Sequence, residues 1–144
     1  MTGQAMLPNW VTPVPGQVRD LHTIATGTRS ELAEGCRDAI AWVSDPNGPT
    51  AEQAQAETVE LDRRRREGPY WVGIADTLAW LNGWLSNPPL EVPRRNPDGT
   101  VVTAGQLYEE LLAEYPAGWK PTPEQRDAAR QKADVTAARW ARIV

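Results

Sequence analysis

The sequence predicts an all-α protein. It reads as a bundle of about five helices, with a small β-hairpin inserted near residues 90–102 and an extended, Pro-rich N-terminal arm. Three observations carry that prediction. Apolar residues recur at three- and four-residue spacing in successive segments. Most of those segments open on a Ser/Thr-based capping sequence. Clusters of Pro, Gly and Asn stand between them and stop each one. Of 144 residues 40% are apolar, but 19 of these are Ala. About 39 larger side chains remain, enough for one helical domain at 17–144 behind an arm at 1–16.

Within the arm, Pro8, Pro13 and Pro15 surround Trp10 and Val11, and each Pro pushes its predecessor toward extended backbone. Val18, Leu21 and Ala25 then mark a short helix interrupted near Gly27. Thr28 with Glu31 reads as a capping box for the next helix. Running to about Ser44, that helix buries Leu32, Cys36, Ala39, Ile40 and Val43 before Asp45-Pro46-Asn47-Gly48-Pro49 ends it. Thr50 with Gln53 caps a helix reaching Arg66, whose apolar stripe is thin. From Pro69 to about residue 86 lies the most hydrophobic segment, apolar over most of its circumference and therefore central.

Leu90-Glu91-Val92 and Thr100-Val101-Val102 flank an Asn96-Pro97-Asp98-Gly99 turn, which predicts the hairpin with Gly99 at positive φ. Thr103 with Gln106 caps a further helix that buries Leu107, Tyr108, Leu111, Leu112 and Tyr115. Thr122 starts the last, with Ala129, Ala133, Thr136, Trp140 and Ile143 on one stripe. An internal echo accompanies this order: Gly35-x-x-Asp38-x-Ile40-Ala41-Trp42-Val43 returns as Gly73-x-x-Asp76-x-Leu78-Ala79-Trp80-Leu81. Each copy precedes a helix opening Thr-Ala-x-Gln, which suggests two duplicated αα-hairpins with the β-hairpin inserted in the second.

Composition narrows the function classes. A net charge of -4 argues against a chain built to coat nucleic acid. One Cys and one His exclude an internal disulfide and an ordinary zinc site. No apolar run approaches ~20 residues and no secretory leader is recognisable, so no membrane partner and a cytoplasmic or virion location are expected. Thirteen Arg against two Lys, with abundant Ala and no Phe, fits the codon bias of a GC-rich bacterium or its phage.

The sharpest catalytic candidate is a carboxylate set. Glu31-x-x-Glu34 is followed by Glu57-x-x-Glu60 on what the order of helices makes an antiparallel partner, and facing pairs of this kind can hold Mg²⁺ and a polyphosphate. Over roughly 35 residues this pattern resembles the MazG-like all-α nucleoside triphosphate pyrophosphatases, with Glu60 where the family has Asp. The resemblance implies those four glutamates as Mg²⁺ ligands. Helical phase points elsewhere: at ~100° per residue, Glu31, Glu34 and Asp38 lie roughly 160° from the centre of the apolar stripe, on a solvated face.

Arg63, Arg64, Arg65 and Arg66 could grip phosphates and so form the nucleic-acid alternative, but they point all round a helix end and sit among Glu60, Asp62 and Glu67. Asp76, in the apolar helix, is read as pairing with a neighbouring Arg. Cys36 reads as a small core residue, and His22 has no nucleophile partner. Seven Trp and no Phe are more than a small core readily encloses. Trp10, Val11, Trp119, Trp140 and Ile143 are therefore the expected partner-binding residues. The function expected is a non-catalytic interaction or assembly module, a bacterial or phage accessory protein that binds a protein partner or itself and needs no cofactor.

Overall fold

The computed structural model describes residues 7–143. Six α-helices are present among them: α1 (Pro15–Thr26), α2 (Glu31–Ser44), α3 (Ala51–Asp62), α4 (Pro69–Leu81), α5 (Ala104–Ala113) and α6 (Pro123–Ile143). A 3-10 turn, Arg65–Glu67, joins α3 to α4. Contacts divide the chain into two compact units, the first ending at Val92 and the second beginning at Pro93. In the first, α2 packs extensively on α4, with α1 against α2 and α3 against α4; in the second, α5 packs on α6.

The α2–α4 contact is set by two glycines. A Cβ on Gly73 would meet the Leu32 carbonyl, and one on Gly35 would meet the Tyr70 carbonyl and, at 2.7 Å, the Ile74 amide nitrogen. As α2 advances from 32 to 35, α4 retreats from 73 to 70, so the helices pass in opposite senses with their backbones touching. The two contacts are equivalent in the repeat, since each glycine meets the residue three positions before the other. Around this crossing Leu21, Ala33, Cys36, Val43, Leu78 and Leu81 are fully enclosed. Leu7, Trp10, Val11 and Leu90 pack on the same core from outside the helices. The helical pairs differ from those expected: α3 pairs with α4 and not with α2, while α5 belongs to the other unit.

Local chemistry explains the helix ends. Capping boxes at Thr50/Gln53, Thr103/Gln106 and Thr122/Gln125 form in both directions. The expected Thr28 box does not: Ser30 Oγ accepts the Ala33 amide at 3.1 Å, while the Thr28 hydroxyl donates back to the Ile24 carbonyl at 2.7 Å. Thr28 thus closes α1, whose Ala25 carbonyl also accepts from Arg37. Helix α4 stops at Leu81, not near 86. Gly83, at φ 86, donates to the Trp80 carbonyl and Trp84 to the Ala79 carbonyl, which is a Schellman motif.

The expected β-hairpin is corrected to a loop. Gly99 does adopt φ 91, but the pairing is one antiparallel bridge, Arg95 to Val101, and the described residues hold no strand. Pro88, Pro89 and Pro93 deny the first run its donors. Leu90 and Val92 instead plug the first unit's core. Of the expected arm, residues 1–6 lie outside the described residues, and Pro15 and Gly16 already belong to α1.

Candidate interaction surface

The end of α4 presents the most exposed aromatic of the first unit. Trp84 follows Gly83 in the Schellman turn and is 50% exposed, with Leu85 beside it at 40%. Its backbone is held from several directions. The Trp84 and Leu85 amides both donate to the Ala79 carbonyl. The Asn82 side-chain amide donates to Thr58 Oγ1 at 3.1 Å, tying the turn to α3, and the Thr12 amide donates to the Leu81 carbonyl at 2.8 Å. A large apolar side chain is therefore displayed on a fixed turn. Trp42, near the end of α2, is also exposed. Residues up to Val92 carry seven Arg against twelve Asp and Glu, so these aromatics stand on an acidic unit.

Among the residues expected to bind a partner, Trp10 and Val11 serve the first unit itself. Both are half-buried on its core, and the Trp10 indole donates to the Pro49 carbonyl at 3.3 Å. Trp140 is buried, and its Nε1 has no hydrogen-bond partner. Trp119, on the connector between α5 and α6, is 57% exposed. Ile143 is half-buried. Sequence reading missed Trp84 as a surface residue by running the helix through it. Asn82-Gly83, a turn dipeptide just after an apolar run, was the signal that ends the helix there. No protein-family model matches the chain, and neither the curated proteins nor the solved structures contain a match to it.

The glutamates do not assemble. Glu31 and Glu34 on α2 and Glu57 and Glu60 on α3 are all exposed, and α3 lies on α4. Among the described residues no group of three His, Cys, Asp or Glu could hold a metal ion. The arginine run is largely engaged within the fold. Arg64 chelates Glu67 at 2.9 and 3.0 Å and stacks over Trp71, 3.4 Å from the ring centroid. This pairing raises the Arg64 pKa and lowers that of Glu67. Arg65 bridges Asp62 and Asp76, which gives Asp76 the arginine partner expected for it. Arg63 reaches Glu60 at 3.9 Å, and Arg66 is exposed.

Two further polar groups are positioned by the α2–α4 crossing. The Tyr70 hydroxyl donates to Asp38 at 2.6 Å, and that bond, with some desolvation, pushes the phenol up to about 12. Cys36 is fully enclosed, and burial pushes its thiol above the ordinary value, which leaves it an inert core group.

In the second unit an open cleft of about 320 Å³ lies between the end of α5 and the start of α6. Leu111, Tyr115, Ala128 and Ala129 make its apolar wall, and Glu114 and Lys132 stand on it as charges. None of the described residues of α5 is buried, so its leucines are only half covered.

Proposed function

We propose that the chain is a non-catalytic protein-binding module in an accessory or assembly role in a bacterium or phage. The observation that supports this most is the rigidly mounted Trp84–Leu85 pair. An aromatic on a fixed turn loses little conformational freedom on binding, which is what makes Trp an effective interface anchor. Because the surrounding unit is acidic, the partner that fits is a protein with an apolar socket rimmed by Arg or Lys. Trp119 is a second contact on the other unit, and Ile143 a peripheral one. Trp10 and Val11 act indirectly in this reading, by fixing the body that carries Trp84. The repeat centred on Gly35 and Gly73 makes the first unit a duplicated αα-hairpin, α1–α2 with α3–α4.

The test is binding by the Trp84→Ser and Trp119→Ser chains after their melts are matched to the parent. Loss of a saturable protein partner with Trp84→Ser, folding unchanged, is the expected result. A partner held equally by both variants would overturn the assignment. The Mg²⁺-nucleotide reading has its own check. A ligand at about 100 times its Kd adds about 2.7 kcal/mol, so a melting shift needing both Mg²⁺ and a nucleoside triphosphate would replace the proposal. No such shift is expected, given the separation of the two glutamate pairs.

A further inference from the structure

We propose that a second copy of this chain docks along the exposed face of α6, in parallel orientation. This rests on the protein-binding reading and names one partner for it. Helix α6 carries two stripes. Ala129, Ala133 and Trp140 are buried on one side. On the opposite side Ala128, Gln131, Val135 and Ala138 are all exposed, with Val135 at 55% in the middle of the helix.

The spacing of the exposed stripe is that of heptad a and d positions, with Ala128 and Val135 at a and Gln131 and Ala138 at d. That register sets Asp127 and Asp134 on one flank, at g, and Lys132 and Arg139 on the other, at e. In a parallel pair each g residue faces the e residue five positions later on the other helix. Asp127 then meets the second copy's Lys132, Asp134 meets its Arg139, and the two-fold repeats both pairs. An antiparallel pair would set like flank against like flank, with Asp134 facing its own copy and Lys132 facing its own. The charges over 127–139 therefore select one orientation. Ala128 and Lys132 also line the cleft against α5, so the second helix covers part of that apolar wall.

The seam is short and holds a Gln, so the dimer is weak and concentration-dependent. Sedimentation equilibrium of the full chain is expected to show a monomer–dimer equilibrium that salt weakens. Val135→Lys, at an exposed site, is expected to weaken it at least about tenfold without loss of helicity. A chain carrying Asp127→Lys with Asp134→Lys and a chain carrying Lys132→Asp with Arg139→Asp are each expected to be monomeric alone and to pair when mixed. Orientation is read by oxidation. Ala128→Cys chains cross-link to each other if the helices are parallel, whereas an antiparallel pair holds those positions about 15 Å apart along the axis. Cys36 stays in place, being buried. A parent chain that remains monomeric at all concentrations overturns the proposal, as does Ala128→Cys cross-linking only to Ala138→Cys. A monomer that still loses another protein partner through Trp84→Ser leaves the broader reading standing, so the two fail separately.

Discussion

The two units are both helical, yet they are held together differently. In the first, two helices meet backbone to backbone at Gly35 and Gly73, and Leu, Val, Ile and Trp side chains close around the contact. In the second, α6 buries Ala129, Ala133 and Trp140, and α5 contributes only half-covered side chains. Charge divides the same way: residues up to Val92 are strongly acidic, whereas those from Pro93 on are nearly balanced, eight basic against seven acidic. The difference teaches that helix number is a poor guide to self-sufficiency. What counts is how much apolar area each helix encloses, and a unit of about 50 residues that encloses little has surface left for a partner.

The most forceful way to break this contrast is Gly73→Ala. The added Cβ meets the backbone carbonyl of Leu32, which no side-chain rotation relieves. A loss of about 3 kcal/mol is expected in a urea titration followed by Trp fluorescence, with Gly35→Ala less than additive because the two share one crossing. A value near zero would mean that the crossing is not close-packed. Trp10→Ala comes next, at about 2 kcal/mol, because the indole is half-buried on the core of the first unit and bonded to Pro49. A neutral result would return Trp10 to the set of free docking residues.

A smaller change sharpens the comparison from the other side. Thr122→Ala removes the capping box of α6, at an expected cost of about 1 kcal/mol. Hydrogen exchange should register that loss in α6 while the α2 and α4 amides keep their protection. Equal loss in α2 would argue that the units unfold together.

Alkali tests the crossing through Tyr70. Its folded pKa, about 12, lies above the ordinary value of 10.0, so the folded chain keeps a proton that the unfolded chain gives up. The associated stability is full below pH 10 and is lost as pH rises through 10–12. Asp38→Asn is expected to bring the phenol back toward its ordinary value in an ultraviolet titration. An unmoved titration would show that Asp38 is not the cause. The smallest expected effect on stability is Trp119→Ser, within about 0.5 kcal/mol for so exposed a side chain. A larger loss would place Trp119 in the fold rather than at the surface.

Much of the fold was legible without coordinates, because it depends on neighbours in the chain. The boxes at Thr50, Thr103 and Thr122 are local hydrogen bonds between residues three apart, and Gly99 takes its positive φ from the turn it closes. Helical period likewise put Cys36 and Val43 inside and the glutamates of α2 outside. Where two local solutions competed, reading from the chain chose wrongly: Thr28 over Ser30 as cap, and a strand over a core plug at Leu90 and Val92.

The candidate surface was legible only in kind. An excess of Trp pointed to aromatic contacts, but not to which Trp would be covered. By itself the sequence determined the helices, most of their caps and the repeated Gly-x-x-Asp pattern, because each depends on spacing within one turn or one helix. Tertiary structure alone decided that α3 lies on α4, that Trp10 is held by Pro49, and that Trp84 is left outside. Those outcomes depend on which distant surfaces meet, and a glycine marks a close approach without saying to what.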